Sequence, residues 1–140
     1  MSIADADAAD GVARWHAFVE SRDLAMLAQA LDDEVVFESP VVHTPQRGRA
    51  LATLYLAGAA ATLGNETFRY LGEWRAERSA ILEFACDLDG VQVNGVDMIW
   101  WNEAGRITRF KVMVRPLKGM EAVRAAMAAA LERAKASGLA

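Results

Sequence analysis

The spacing of apolar residues predicts helices in the first 65 positions and again at the end of the chain. Val12, Trp15 and Val19 lie at i, i+3 and i+7, which predicts a helix over residues 8–20. Asp23 stands where it can cap a short second helix, because its carboxylate can accept a hydrogen bond from a free amide of the first turn. The remaining apolar stripes predict helices over residues 24–31, about 48–62 and about 118–136.

Between Asn65 and the last helix the apolar period is two, which is typical of strands with one buried face. Asp89-Gly90 indicates a two-residue hairpin, since a type I′ turn needs positive φ at both positions, and residues 102–105 indicate a longer turn. The strands predicted in the chain span residues 34–39, 67–74, 80–88, 91–101 and 107–114. This order predicts an α+β fold in which helices cover one face of a curved antiparallel sheet.

Asp97 is a lone carboxylate in an apolar strand, and burying it costs free energy unless it is hydrogen-bonded or protonated. Counting outward from the two turns places Asp97 opposite Leu82 on one side and opposite Phe110 on the other. Cross-strand neighbours share a face, so Asp97 is predicted on an almost wholly apolar face. That face consists of Leu82, Phe84, Cys86, Asp97, Ile99, Phe110, Val112 and Val114. A slip of one residue in either turn would move Asp97 to the other face.

The opposite face of the sheet mixes large apolar side chains with charges. Its predicted members are Glu83, Val96, Met98, Trp100, Ile107, Lys111 and Met113. No predicted helix is assigned to cover this face, and an exposed apolar patch is typical of a subunit contact. We therefore expect a homodimer through Met98, Trp100 and Met113, with coverage by the C-terminal helix as the alternative.

Length, charge and composition narrow the classes of partner. The 140 residues suffice for one domain, with a core over about 8–118, and the net charge of −4 gives no reason to expect nucleic acid. No apolar stretch approaches the roughly 20 residues that span a bilayer, and the acidic start lacks signal-peptide features. We expect a cytoplasmic protein without membrane contact. One cysteine and two distant histidines favour neither a disulfide nor a metal site, and no cofactor is expected.

Several segments of the chain, within about residues 8–118, resemble the nuclear transport factor 2-like superfamily. This superfamily includes ketosteroid isomerases, SnoaL-type polyketide cyclases and limonene epoxide hydrolases. The segments that carry the resemblance are Arg22-Asp23-Leu24, Leu31-Asp32-Asp33-Glu34-Val35, Phe37-Glu38-Ser39-Pro40, Pro45-Gln46-Arg47-Gly48-Arg49, Gly95-Val96-Asp97 and Asn102-Glu103-Ala104-Gly105-Arg106-Ile107. The resemblance implies a cone, in which a bent sheet wraps around helices with an apolar pocket at one end, and it implies dimers through the outer sheet face.

Ketosteroid isomerases are the nearest functional comparison that the resemblance implies. Their hydrogen-bond-donating carboxylate matches Asp97, their general-base Asp falls at Ser39, and their oxyanion-hole Tyr falls at Trp15. A protonated Asp in an apolar site can stabilise a developing oxyanion. Ser39 is a poor proton acceptor without a base of its own. The resemblance therefore implies an acid in a pocket, with two of the three catalytic positions changed.

Asp97 is the leading catalytic candidate, because apolar neighbours raise the pKa of a carboxyl and make it an acid or base near neutral pH. His43, in the loop after Pro40, is a second candidate, since a histidine at the pocket mouth can replace the missing base. A water bound at Ser39 is the other candidate base. The alternative for Asp97 is a structural carboxyl bonded to the Trp15 indole, a Tyr hydroxyl or water.

A lining of aromatic and aliphatic side chains would suit a flat, apolar ligand. The candidate lining residues are Trp15, Phe37, Tyr55, Leu82, Phe84, Ile99 and Phe110. The sequence thus predicts a protein that binds a small hydrophobic molecule. As an enzyme it would be a cofactor-independent isomerase or polyketide-cyclase-like protein that moves a proton next to a carbonyl. The alternative is a non-catalytic ligand-binding or protein-interaction dimer with a vestigial pocket.

Overall fold

The computed structural model describes residues 9–137, and in them four helices and six strands form an α+β fold, as predicted. In chain order the elements are α1 (Gly11–Ser21), α2 (Leu24–Ala30), β1 (Leu31–Glu38), β2 (Gln46–Arg47), α3 (Arg49–Leu63), β3 (Arg69–Arg75), β4 (Ser79–Leu88), β5 (Val91–Trp101), β6 (Ile107–Arg115) and α4 (Leu117–Ala136). None of the described helices is long and apolar enough to cross a membrane.

The first two helices begin at capping aspartates. Asp10 accepts a hydrogen bond from the amide of Val12 at 3.0 Å, and Asp23 accepts one from the amide of Ala25 at 2.9 Å. The cap at Asp23 is the predicted one. The spacing predicts the second helix as far as Leu31, but Leu31 adopts extended backbone angles and begins β1. Its buried side chain pairs with β6, so a tertiary contact outweighs the local helical spacing.

The six strands form one sheet in the order β2-β1-β6-β5-β4-β3. β1 runs parallel to β6, and every other described pair is antiparallel. The predicted hairpin at Asp89-Gly90 is confirmed, since φ is 50° and 84° at the two positions. This turn places Leu82 opposite Asp97, as predicted.

The second hairpin differs from its predicted register by two residues. Asp97 lies opposite Val112 instead of Phe110, because the turn is one residue longer than predicted and a bulge between Trp100 and Trp101 adds a second shift. Two residues is the side-chain period of a strand, so Asp97 still points to the predicted apolar face.

Ile107 lies on the inner face of the sheet, which corrects its predicted place on the outer face. The longer turn pairs Ile107 with Trp101, and the side chain of Ile107 is 0% exposed. The bulge interrupts the alternation of faces at this end of β6, which is why strict counting from the turn gives the wrong face.

The inner face of the sheet and the helices enclose the core, while the outer face stays partly exposed. Trp74 and Met113 are 58% and 48% exposed. α4 packs on α3 and turns Val123 and Met127 to the interior, so it does not cover the outer face as the alternative would require. The homodimer through Met98, Trp100 and Met113 stays a prediction.

Candidate functional site

Asp97 lies on the inner face of β5, where it is 6% exposed, and two hydrogen bonds connect it to α1. The Tyr70 hydroxyl donates to Asp97 Oδ2 at 2.7 Å, and the Trp15 Nε1–H donates to the Tyr70 hydroxyl oxygen at 2.8 Å. Among the described residues, Tyr70 is the one hydrogen-bond partner that the structure gives to the Asp97 side chain. Asp97 Oδ1 therefore has no protein donor or acceptor in that part of the chain.

The backbone of β3 and the packing of α1 set this arrangement. A register shift between Tyr70 and Gly72 opens a bulge in the β3–β4 pair, and the intervening Leu71 is exposed. Tyr70 pairs with Phe84, an inner-face residue, and so its hydroxyl reaches across to Asp97. On the α1 side, the Trp15 ring packs edge-on against a buried phenylalanine, Phe110, with 4.6 Å between ring centroids.

Burial controls the protonation of both hydroxyl and carboxyl. It raises the pKa of Asp97 from its ordinary 3.8 to about 7, and the hydrogen bond from Tyr70 acts in the opposite direction. Burial, followed by the nearby charge of Asp97, raises the pKa of Tyr70 far above its ordinary value. At neutral pH Tyr70 is therefore a neutral donor, while Asp97 is divided between its acid and its carboxylate.

A cavity of about 60 Å³ lies between the inner face and the helices, and Asp97 is part of its wall. Most of the wall is apolar, and the polar side chains that reach it include Tyr70, Ser39 and Arg22. A volume of this size holds a few water molecules, whereas pockets for drug-sized ligands are usually about 300–1,000 Å³. A ligand with several rings would have to displace part of the wall.

The predicted lining residues fall into two groups. The cavity wall includes Trp15, Phe37, Phe84 and Phe110. The other group, Tyr55, Leu82 and Ile99, does not line this cavity. Leu82 and Ile99 are fully buried in the core, and Tyr55 packs beside Phe37 with 6.0 Å between ring centroids.

The structure brings only one of the two candidate base positions to the cavity. Ser39 lines the wall, and its Oγ accepts hydrogen bonds from the amides of Val41 and Val42 at 3.2 and 3.4 Å. Both lone pairs of the hydroxyl are therefore engaged. Ser39 can still donate its O–H, but it cannot be the hydrogen-bond acceptor that would make a bound water more basic. His43 is exposed and is not part of the wall. A catalytic role for either residue stays a prediction.

Sequence reasoning offered a Tyr hydroxyl and the Trp15 indole as possible partners of Asp97 but did not single out Tyr70, and the indole reaches Asp97 only through Tyr70. The spacing of Phe68, which directly precedes β3, and Tyr70 within it is a usable signal, since both side chains line the cavity. The step from that signal to Asp97 depends on the bulge in β3, for which the sequence offers no clear marker. Among residues 9–137, no three His, Cys, Asp or Glu side chains are grouped to hold a metal ion.

A family model described as a SnoaL-like domain matches residues 12–110. The chain belongs to the SnoaL-like family. The matched residues end within β6, so α4 of this SnoaL-like protein lies beyond them. A search of curated proteins found no match to the chain.

Solved structures confirm the nuclear transport factor 2-like fold of this SnoaL-like protein. A steroid delta-isomerase from Pseudomonas aeruginosa is 34% identical, with a TM-score of 0.86 over 94% of this chain and 96% of its own. A protein with a cystatin-like fold from Silicibacter pomeroyi is 30% identical, with a TM-score of 0.78 over 86% and 84% of the two chains. A putative isomerase from Bacillus subtilis, 22% identical with a TM-score of 0.62 over 83% and 91%, shares the fold.

Proposed function

We propose that this SnoaL-like protein is a cofactor-independent isomerase or cyclase that moves a proton next to the carbonyl group of a small hydrophobic molecule. The observation that carries the proposal is the buried Asp97 carboxyl, which has a pKa of about 7 and forms part of the wall of an apolar cavity. Groups that titrate near neutral pH in such surroundings are typical of acid–base sites. The 34% identity to a steroid delta-isomerase over nearly the whole chain supports the same class of reaction.

In the proposed reaction, Asp97 acts as the acid that binds the carbonyl oxygen. The Tyr70 hydroxyl holds Oδ2 of the carboxyl, which leaves Oδ1 to carry the proton and donate it toward the ligand. When a base removes a proton from the carbon next to the carbonyl, the electron pair moves onto the carbonyl oxygen. The Asp97 O–H stabilises that oxygen as charge develops. Return of the proton to a different carbon completes an isomerisation.

Two groups are candidates for the base, His43 and a water held at Ser39. His43 would act only if the exposed loop after Pro40 brought its ring to the cavity mouth. A water held at Ser39 would have to accept a proton beside a hydroxyl whose lone pairs already receive two backbone amides. His43→Ala and Ser39→Ala variants separate the two candidates, because each removes one base and leaves the Asp97 acid in place.

The test is the conversion of cyclohex-3-en-1-one into its conjugated isomer, followed by ultraviolet absorbance. We expect Asp97→Asn to lower the rate by about 100-fold, the usual scale for a lost acid–base or oxyanion group. Asp33→Asn, which changes an exposed carboxylate paired with Arg49, is the matched control. The wild-type rate should fall as the pH rises above about 7, because the acid form of Asp97 is lost. Equal rates in Asp97→Asn and wild type would contradict the proposal.

A second candidate function is a non-catalytic, ligand-binding or protein-interaction dimer. Two observations favour it: the cavity is only about 60 Å³, and the outer sheet face keeps Trp74 and Met113 exposed. We propose that Met98, Trp100 and Met113 pair two copies through this face. Sedimentation of wild type and of Met113→Glu tests the pairing, since a buried charge at the interface should shift the mass from dimer to monomer. A monomeric wild type would contradict it.

A further inference from the structure

We propose that α4 sets the size limit of the ligand, through the side chains of Val123 and Met127. This inference rests on the proposed function in one respect, namely that the ligand binds in the cavity beside Asp97. Val123 and Met127 are 2% and 8% exposed, and both line that cavity. They stand one helical turn apart on one face of α4, so together they form a continuous stretch of wall.

The part of the wall that the sheet supplies is less able to yield than α4. Phe84 and Phe110 are 1% exposed on the inner face of the sheet, and each packs against a further aromatic ring. Moving either ring would disturb strand pairing and the core together. Met127 differs from them, because an unbranched thioether side chain with three rotatable bonds adapts its shape at low cost.

The contact between α4 and α3 also leaves room beside the Met127 methyl group. Gly58 of α3 has no side chain there, and a Cβ built on it would stand 3.4 Å from Met127 Cε and 3.8 Å from Ala130 Cβ. The two helices therefore meet through small residues. Because Gly58 lacks that Cβ, a space of about one methyl group lies beside the end of the Met127 side chain.

A cavity of about 60 Å³ should therefore admit a ring system when the Met127 side chain moves or is shortened. Ligands of one ring should need a small shift, whereas ligands of two rings should press directly on Met127 and Val123. Hydrophobic pockets discriminate by about 10- to 200-fold for a single methylene group. A two-ring ligand should therefore bind wild type weakly and gain affinity when Met127 is shortened.

The experiment measures binding of four probes by isothermal titration calorimetry. Two are ketones with one and two rings, cyclohexanone and 1-tetralone, and two are hydrocarbons of matching size, benzene and naphthalene. The variants are Met127→Ala and Val123→Ala. The control is Met120→Ala, which shortens a methionine of the same helix that does not line the cavity. Urea unfolding of each variant confirms that it is folded before titration.

We expect Met127→Ala to bind both two-ring probes about tenfold more tightly than wild type, with a smaller gain in Val123→Ala and none in Met120→Ala. Unchanged affinity for the two-ring probes in both cavity variants would overturn the proposal. An equal gain in Met120→Ala would overturn it as well, since general loosening of the helix would then explain the effect. If the hydrocarbons show the expected gain but the ketones bind no better than the hydrocarbons, the size limit stands and the carbonyl-directed function fails.

Discussion

The raised pKa of Asp97 predicts that replacing this residue by Asn stabilises the protein at neutral pH. The folded protein holds the proton of Asp97 up to a pKa of about 7, whereas the ordinary value is 3.8. In the wild type, the stability tied to this group is therefore fully present below about pH 4. It is lost as the pH rises toward 7, because the folded state binds the proton more tightly than the unfolded state does. Above about pH 7 it stays constant.

The size of the effect follows from the same two pKa values. Each pH unit between them changes the free energy of unfolding by about 1.4 kcal/mol, which gives about 4 kcal/mol over the whole range. Asn resembles the neutral acid, since its carbonyl oxygen can still accept the hydrogen bond from Tyr70. The advantage of Asp97→Asn over wild type should thus grow by about 3 kcal/mol between pH 5 and pH 8.

Urea unfolding followed by tryptophan fluorescence measures this difference at several pH values. Subtracting wild type from variant at each pH removes the contributions of all other titrating groups. Asp33→Asn is the control, because it makes the same chemical change at a side chain that is 81% exposed. A flat difference for Asp97→Asn would refute the reasoning, since it would mean that the carboxyl is solvated or keeps an ordinary pKa. A difference that shrinks with rising pH would show a stabilised carboxylate.

Three further changes can be tested by the same unfolding measurement. Tyr70→Phe removes the hydrogen bond that lowers the pKa of Asp97 and leaves the Trp15 indole N–H without its acceptor. The variant should lose about 1–3 kcal/mol of unfolding free energy, and its pH dependence should move to higher pH. An unchanged pH midpoint would contradict this. Gly95→Ala should cost about 1–3 kcal/mol or more, because the new Cβ would stand 2.6 Å from the Phe84 ring and from a strand carbonyl, and a neutral result would exclude that close contact. Asp23→Ala should cost about 1 kcal/mol through loss of the cap on α2, whereas Asp23→Asn should cost little, and equal losses would argue against capping.

The inner face of the sheet is the part of the molecule that could be predicted well from local pattern. Side chains alternate with a period of two, and the Asp89-Gly90 turn links one strand to the next with a defined register. Even the two-residue error in the second hairpin left Asp97 on the correct face, because residues two positions apart in a strand point to the same face. Ile107, which was predicted on the wrong face, shows the limit of this counting. A bulge moves the residues beyond it to the opposite face, and the sequence does not clearly mark the bulge.

The surroundings of Asp97 depended on contacts between distant parts of the chain. Tyr70 and Trp15 lie 27 and 82 positions from Asp97, and their hydrogen bonds depend on the bulge in β3 and on the packing of α1 against the inner face of the sheet. The exposure of His43 and the position of Met127 likewise depend on how the loop after Pro40 and α4 pack against the sheet. By itself, the sequence determined the fold class and the face that carries the acid, because alternation and turn chemistry act over a few residues. Only the tertiary structure decided which groups meet that acid and how much space remains, because both depend on packing between elements far apart in the chain.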